Sequence, residues 1–253
     1  MMINNENTVN KVYNKWFDSP YYHILYENRD YKEAKKFVKT ILNHLKLKNR
    51  SFILDAACGK GRHSIELEKL GYKVLGIDLS KNSINIAKKN ENKNLNFLVH
   101  DISIPLKKKF DAVFNLFTSF GYYDKKKDVQ ILKTIEKNLK INGVGVIDFF
   151  NVNKVKNELI ENEIINKKNI KFNINRKINR NCVTKKIIVE DNFKKYVFFE
   201  KVNTLTVNDF KNYFKKTNLE IIEFFGNYKL DKFDLNCSPR LIIIFKKKSQ
   251  SNK

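Results

Sequence analysis

The stretch Ser51-Phe-Ile-Leu-Asp-Ala-Ala-Cys-Gly-Lys-Gly-Arg-His63 contains the strongest fold signal in the sequence. An apolar run, predicted to be a strand, leads into Asp55 and then into a turn that contains Gly59 and Gly61. Two glycines one residue apart let the backbone turn sharply and approach a ligand, and the helix that follows presents unpaired N–H groups. This order predicts a ligand-binding loop between a buried strand and a helix.

Three more apolar runs follow, at residues 72–78, 96–101 and 110–117. Each contains a polar side chain at or near its end, and these are Asp78, Asp101 and Asn115. Asp78 lies seventeen residues after Gly61, about where a Rossmann-like unit places its ribose-binding carboxylate. Parallel strands bind ligands at their carboxyl ends. The four runs therefore predict one row of ligand-binding residues along a sheet edge.

Other nucleotide-binding sites fit the glycine loop less well. A dinucleotide fingerprint places Gly or Ala where this sequence has Ser64, and a P-loop sequence is missing. Asp55 at the end of the strand favours a cationic ligand over a pyrophosphate.

The row of motifs resembles the class I S-adenosylmethionine-dependent methyltransferases. Asp55 to Gly61 resembles the first motif of that family, with Ala57 at its first glycine position. Residues 75–80 resemble the second motif, 99–102 the third, and 110–117 the fourth. The resemblance covers residues 48–150.

The resemblance implies how the cofactor is bound. Asp78 is expected to bind both ribose hydroxyls, and Asp101 the adenine amino group, with the backbone of the next residue completing the adenine contact. Arg29 is a candidate for the methionine carboxylate. The full set of predicted cofactor-binding residues is Asp55, Ala57, Gly59, Gly61, Asp78, Leu79, Asp101, Ile102, Asn115 and Arg29.

The remaining patterns complete an α/β fold, a Rossmann-like seven-stranded, mostly parallel sheet with an antiparallel final strand. A helix is predicted at 128–140, a stop at Asn142-Gly143 and a strand at 144–150. A helix at 206–217 and strands at 219–225 and 241–245 follow. In the family the last two strands form a hairpin, and its final member is expected at the sheet edge.

Four segments are predicted: an N-terminal helical lid (1–47), the cofactor-binding core (48–150), an insertion (151–204) and a C-terminal helix and hairpin (205–248). In the lid, helices are expected at 8–18 and 31–47. Tyr21 and Tyr22 are candidates to face the cofactor, whereas Trp16 and Phe17 are expected to pack. The insertion is expected to be a helix to residue 166 and three antiparallel strands, 170–178, 183–189 and 195–202. It is either a cap over the cofactor or a dimer contact.

Two loops are predicted to contact the methyl acceptor. The loop at 118–123 resembles a segment of small-molecule methyltransferases and contains Tyr122 and Tyr123. The loop at 226–240 contains Tyr228 and Arg240. Packing is an equal alternative for both tyrosines of the first loop, and Arg240 is alternatively an anchor of the hairpin. His63, His100 and Tyr122 are candidates for a general base, but no catalytic residue is assigned.

Composition bounds the remaining questions. The formal charge of +23 fits nucleic-acid binding, but the heavy use of Lys, Asn and Ile also fits codon bias, which we favour. The three cysteines and four histidines form no metal-binding spacing, so no metal is expected. The polar N-terminus contains no targeting signature and no apolar run approaches membrane-spanning length. We therefore expect a cytoplasmic protein without a membrane partner.

These patterns predict an S-adenosylmethionine-dependent methyltransferase that acts on oxygen or nitrogen of a small molecule, as a monomer or homodimer. The sequence lacks the Asn/Asp-Pro-Pro-Tyr/Phe segment of many nucleic-acid amino-methyltransferases. Two alternatives stay open. One is an RNA methyltransferase that uses the basic surface, and the other is a non-catalytic regulator that binds the cofactor.

Overall fold

The computed structural model describes residues 15–27, 31–179 and 181–249. The helices are α1 Pro20–Leu25, α2 Tyr31–Leu45, α3 Arg62–Lys69, α4 Lys81–Ala87, α5 Lys125–Asn138, α6 Val152–Asn157 and α7 Val207–Phe214. The strands are β1 Phe52–Ala56, β2 Lys73–Asp78, β3 Leu95–Val99, β4 Phe110–Asn115, β5 Leu139–Phe150, β6 Asn162–Lys167, β7 Ile170–Ile178, β8 Cys182–Asp191, β9 Lys194–Asn203, β10 Leu219–Phe225 and β11 Arg240–Lys247.

The chain divides into two compact units. One contains the described part of residues 1–29 together with 156–204, and the other contains the described part of 30–155 and 205–253. Helix α1 therefore belongs to the first unit and α2 to the second. Among the described residues, no helix combines the length and the hydropathy that crossing a membrane requires.

The larger unit contains a seven-stranded sheet in the order β10-β11-β5-β4-β1-β2-β3. Strands β1 to β5 pair in parallel, and β11 is antiparallel to both β5 and β10. The predicted fold class is thus confirmed. The final strand lies inside the sheet, however, and β10 rather than β11 forms the edge. Pairing on both sides suits β11, because its residues Leu241 to Phe245 are all buried.

Buried apolar side chains of the sheet and the flanking helices form the core of this unit. Ile53, Phe114, Val146 and Ile242 are fully buried in one cluster. Residues of α2, α3 and α4 belong to the same cluster. The apolar runs of the sequence are therefore strands covered by helices, as a parallel sheet requires.

The boundary between α5 and β5 differs from the prediction. The helix begins earlier, because the Asp124 carboxylate caps it by accepting from the Lys127 N–H at 2.7 Å. The predicted stop at Asn142-Gly143 is part of β5, where Asn142 has φ +60°. The register with β4 shifts between Phe110 and Ala112. The irregular pairing between β4 and β5 accommodates the Asn142-Gly143 dipeptide, so β5 continues through it.

The smaller unit contains a four-stranded antiparallel sheet in the order β6-β7-β8-β9. The three strands predicted for the insertion are confirmed as β7, β8 and β9. The prediction of a helix to residue 166 is wrong, because α6 ends at Asn157 and residues 162–167 form β6. Exposure alternates along β6 with a period of two residues and β6 pairs fully with β7, so it is an edge strand.

Aromatic residues join the N-terminal segment to this second sheet. Trp16 is fully buried in a cluster with Phe172 and Ile187. Its ring centroid lies 5.2 Å from that of Phe198, and the Tyr21 hydroxyl donates to Asp191 at 2.9 Å. Packing is therefore the observed role of Trp16, as expected. Most of the helix predicted at 8–18 lies outside the described residues.

Candidate functional site

The carboxyl ends of the five parallel strands bring the predicted polar residues to one edge of the sheet. Asp55 is in β1, Asp78 ends β2, and Asn115 ends β4. Asp101 is the second residue after the end of β3. The strand order places β1 between β2 and β4. The glycine loop after β1 is therefore at the centre of the row, with Asp78 on one side and Asn115 on the other.

The loop between β1 and α3 uses left-handed backbone at three positions. The φ angles are +65° at Ala57, +56° at Gly59 and +80° at Gly61. A Cβ on Gly61 would lie 2.5 Å from Cζ of Phe97, so only glycine fits there. A Cβ on Gly59 would meet nothing within 4 Å. The loop is thus packed on its Gly61 side and open above Gly59.

Asp78 links the loop to β2. Its Oδ2 accepts from the Gly59 N–H and its Oδ1 from the Ser80 N–H, both at 2.8 Å. The Cys58 N–H donates to the carbonyl of Ile77 at 2.9 Å. These bonds hold the glycine loop and the Asp78 carboxylate in one fixed arrangement. Leu79, the next predicted contact, has an exposed apolar side chain.

Asp101 lies in a small charged cluster after β3. Its Oδ1 accepts from the Ser103 N–H at 2.7 Å, and Lys127 Nζ lies 3.4 Å from its Oδ2. Partial burial raises the pKa of Asp101, but the Ser103 hydrogen bonds and the Lys127 charge outweigh it and lower the pKa overall. The carboxylate therefore stays ionised as a hydrogen-bond acceptor. The neighbouring Ile102 is buried.

Asp55 is buried beneath the loop and accepts from the Ser64 hydroxyl at 2.5 Å. Burial raises the pKa of Asp55 to about 6, and the nearby Asp78 charge adds to the effect, while the Ser64 hydrogen bond opposes it. The carboxylate is therefore mostly ionised at pH 7. A cation bound above it would stabilise the ionised form further.

Asn115 contains a buried polar atom without a partner. Its side chain is fully buried, and its Nδ2 donates to the Ala56 carbonyl at 2.9 Å. That bond fixes the orientation of the amide, and its Oδ1 has no hydrogen-bond partner among the described residues. Buried acceptors are nearly always satisfied. The unused Oδ1 therefore indicates that a donor belongs beside it.

The two residues predicted in the 226–240 loop are both engaged in the protein. Arg240 Nε donates to Asp148 Oδ1 at 2.7 Å, and Arg240 Nη2 donates to Thr118 Oγ1 at 2.8 Å. The Tyr228 hydroxyl donates to Asp148 Oδ2 at 3.0 Å, and its ring stacks on Phe37 with centroids 4.3 Å apart. Burial and the Asp148 charge raise the pKa of Tyr228 well above its usual range, so the phenol stays protonated.

The tyrosines of the 118–123 loop are half-buried. Tyr123 lies near the charged cluster after β3, since Lys127 Nζ is 5.3 Å from its ring centroid. Burial, with the charges of Asp101, Asp128 and Asp78, raises the pKa of Tyr123 to about 12. The structure thus places Tyr123 toward the Asp101 side of the edge. Arg29, the candidate for a carboxylate, lies outside the described residues.

Two of the candidate bases, His63 and His100, are described by their surroundings. Burial and the Arg62 charge lower the pKa of His63 well below its usual value, so this imidazole is neutral. His100 is paired with the carbonyl of Ile104 at 2.9 Å. Among the described residues, no group of three His, Cys, Asp or Glu side chains is arranged to hold a metal ion.

Asp148, which no sequence motif indicated, is fully buried in β5. It accepts from Arg240, Tyr228 and the Phe117 N–H. An acid inside the otherwise apolar run Val144 to Phe150 was the available signal. A charge in a central strand needs partners, but the sequence does not show which residues supply them.

Known proteins match the part of the chain that contains this edge. A methyltransferase domain model matches residues 53–143. The putative methyltransferase YqeM of Bacillus subtilis is 35% identical over 107 residues, which cover 40% of this chain and 43% of YqeM. The curated relatives are matched over only 34% to 43% of their own length.

Two solved structures share the fold over almost the whole chain. An S-adenosylmethionine-dependent methyltransferase from Clostridium acetobutylicum has a TM-score of 0.77 at 20% identity, covering 97% of this chain and 100% of its own. The sugar N-methyltransferase KedS8 of a Streptoalloteichus species has a TM-score of 0.71 at 16% identity, covering 90% of this chain and 93% of its own.

Proposed function

We infer that this chain is a class I S-adenosylmethionine-dependent methyltransferase, because a methyltransferase domain model matches residues 53–143, and from this premise we propose that it methylates oxygen or nitrogen of a small molecule. The observation that supports the proposal best is the arrangement around the glycine loop. Asp78, the open space above Gly59 and the unused Oδ1 of Asn115 lie along one sheet edge.

The residues present fit S-adenosylmethionine. The Asp78 carboxylate suits a pair of ribose hydroxyls, since it has two oxygens held by the backbone. The buried Oδ1 of Asn115 suits a donor such as the amino group of the methionine portion. Asp101 provides an ionised acceptor for the adenine amino group. Ionised Asp55 favours the positive charge of the ligand.

S-adenosylmethionine supplies, when bound, a methyl group on a sulfonium that is already a good leaving group. The protein must therefore bind, orient and exclude water rather than activate strongly. In this proposal Asp78 and the glycine loop orient the ribose. The residues after β4 border the site on the side toward β5 and help to exclude water there. We assign no general base, and the burial of His63, which lowers its pKa well below the usual value, argues against that residue.

A small-molecule acceptor is the substrate class that we propose. KedS8, a sugar N-methyltransferase, is similar in structure to 90% of this chain. The similarity therefore extends beyond the unit that contains the seven-stranded sheet. The sequence also lacks the Asn/Asp-Pro-Pro-Tyr/Phe segment of many nucleic-acid amino-methyltransferases. We also propose that Tyr122 and the neighbouring residues of the 118–123 loop contact this acceptor.

The formal charge of +23 favours a second candidate, an RNA methyltransferase. Clustered Lys and Arg bind phosphates with a strong dependence on salt. Lysine dominates the excess, and arginine, the better phosphate ligand, is scarce. We therefore rank RNA below a small molecule.

Methyl-labelled S-adenosylmethionine, incubated with the full chain and a fractionated cell extract, tests the proposal. Label in the small-molecule fraction is the expected result, and label in RNA would instead support the second candidate. Binding of the cofactor without label in any fraction would contradict both and favour a non-catalytic regulator. The Asp78→Ala variant is the control, because its label should fall to background if this edge binds the cofactor.

A further inference from the structure

Two successive residues, beginning two residues after the end of β4, have left-handed backbone. Phe117 has φ +65° and Thr118 has φ +54°. Neither is glycine, and Thr118 is β-branched, so this backbone is unfavourable by about 1 kcal/mol or more at each residue. We call these two residues the Phe117–Thr118 corner. Backbone of this kind persists only where the surrounding structure restrains it.

Asp148 provides that restraint from the neighbouring strand. Its Oδ2 accepts from the Phe117 N–H at 2.8 Å. Its backbone carbonyl accepts from the Thr118 N–H, also at 2.8 Å. One residue of β5 thus satisfies both amides of the corner, through its side chain and its main chain.

The Asp148 carboxylate is itself held by two long-range partners. Arg240 Nε bonds to its Oδ1 at 2.7 Å, and the Tyr228 hydroxyl bonds to its Oδ2 at 3.0 Å. Arg240 also donates to Thr118 Oγ1 at 2.8 Å, which adds a third bond to the corner. Asp148 is fully buried, so these charge-assisted bonds are shielded from water and strong.

The corner faces the glycine loop from the side opposite Asp78. Strand β4 pairs with β1, whereas β2 lies on the other side of β1. The Arg62 guanidinium, one residue after Gly61, lies 4.5 Å from the centroid of the Phe117 ring. If the ribose is bound at Asp78 and the cofactor runs along the row from β2 across β1 to β4, its amino-acid portion would lie at this corner.

We propose that Asp148 is a positioning residue, which holds the Phe117–Thr118 corner against the amino-acid portion of the cofactor. The inference rests on the proposed function, since it takes the ribose to be at Asp78. Asp148 acts through the corner and does not itself touch the cofactor. Arg240 and Tyr228 act with it, so their role is to orient Asp148 rather than to bind the acceptor.

Two neutral ligands that differ only in the amino-acid portion separate this role from a general one. S-adenosylhomocysteine contains that portion and 5′-methylthioadenosine lacks it. For Asp148→Asn, which loses the charge but keeps the shape, we expect the affinity for S-adenosylhomocysteine to fall roughly tenfold, as loss of charge-assisted bonds implies. The affinity for 5′-methylthioadenosine should stay within about twofold. Isothermal titration calorimetry of the full chain measures both.

Asp111→Asn is the matched control at the other end of β4. Asp111 Oδ2 also accepts a backbone N–H, that of Phe52 at 2.8 Å, and Asp111 Oδ1 also accepts from a cation, Lys140, at 2.8 Å. This variant loses the same kind of bonds far from the corner, so both affinities should be unchanged. Tyr228→Phe, which keeps the ring stacked on Phe37, should weaken S-adenosylhomocysteine alone by about threefold.

The outcomes are distinct. A selective loss for S-adenosylhomocysteine in Asp148→Asn or, if that variant does not fold, in Tyr228→Phe supports the positioning role. Equal losses for both ligands, or no loss, overturn it while leaving the proposed function intact. If the wild-type chain binds neither ligand, the proposed function fails, and this inference fails with it.

Discussion

The β2–β3 half of the candidate site, with Asp78 and Asp101, uses contacts that span 2 to 26 residues of the chain, whereas the β4–β5 half depends on contacts that span 80 to 122 residues. Asp78 and Asp101 each accept an N–H from the residue two positions later. Asp148 in the other half is bonded to Arg240, 92 residues away, and Arg240 to Thr118, 122 residues away. Both halves are described within the same unit of the chain.

We expect the β2–β3 half to recognise the adenosine portion of a ligand and the β4–β5 half to position its amino-acid portion. A carboxylate held by its own turn is in place as soon as its strand forms, and its oxygens face the end of the strand. The β4–β5 half instead depends on the last strand of the sheet, β11, which contributes Arg240. We therefore expect substitutions in the β2–β3 half to weaken the binding of every adenosine-containing ligand. Substitutions in the β4–β5 half should weaken only ligands that contain the amino-acid portion.

The largest expected effect is that of Asp78→Ala. The variant removes the carboxylate proposed to bind the ribose and also frees the Gly59 N–H. Loss of charge-assisted bonds in a partly buried site implies about a hundredfold weaker binding of S-adenosylmethionine. Calorimetry measures it, with Asp111→Ala at the opposite sheet edge as the control. An affinity within twofold of wild type would remove Asp78 from the site.

The glycine loop offers a matched pair of variants, Gly61→Ala and Gly59→Ala. The first places a Cβ 2.5 Å from Phe97 Cζ at φ +80°, so the free energy of unfolding should fall by about 2 kcal/mol or more. The second enters open space at φ +56° and should cost only about 1 kcal/mol of strain.

Urea denaturation measures the stability of the two variants, and calorimetry their binding of S-adenosylmethionine. We expect Gly59→Ala to be the more stable variant and yet to bind the ligand more weakly than wild type, because its methyl group takes up space above the loop. Wild-type affinity in Gly59→Ala would show that this space is not used.

The pH dependence of binding should follow Asp55, whose pKa burial raises to about 6. The folded chain holds this proton more tightly than the unfolded chain, whose pKa is about 3.9. The contribution of Asp55 to stability therefore falls as pH rises through this range. A cationic ligand prefers the ionised form, so the affinity for S-adenosylmethionine should rise about tenfold between pH 5 and pH 7.

Asp55→Asn should remove that rise, because the amide does not titrate. Calorimetry at the two pH values, with the wild type measured alongside, provides the comparison. A wild-type affinity that is independent of pH, or an equally steep rise in the variant, would contradict the role given to Asp55.

The smallest expected effect is that of Lys127→Ala. Its ammonium lies 3.4 Å from the Asp101 carboxylate and is partly exposed, and such ion pairs contribute about 0–1 kcal/mol. We expect at most about a twofold change in affinity for S-adenosylmethionine, and the change should diminish with salt. Lys126→Ala, on the same helix, is the control. A tenfold change would mean that Lys127 contacts the ligand directly.

The sequence allowed the β2–β3 half to be predicted because its geometry is local. The glycines at 59 and 61 and the acids at 78 and 101 appear at family spacing and lie where that spacing requires. Asp148 was missed because its partners are far along the chain. Strand β6 was missed because its short run, Asn162–Lys167, is an edge strand whose pairing with β7 decides its conformation.

A crystal structure of the full chain with S-adenosylhomocysteine tests the division of the site most directly. We expect ribose hydroxyls within hydrogen-bond distance of the Asp78 carboxylate and the amino-acid portion against Phe117–Thr118. A ligand bound in the opposite direction along the edge, or at another place on the chain, would contradict it.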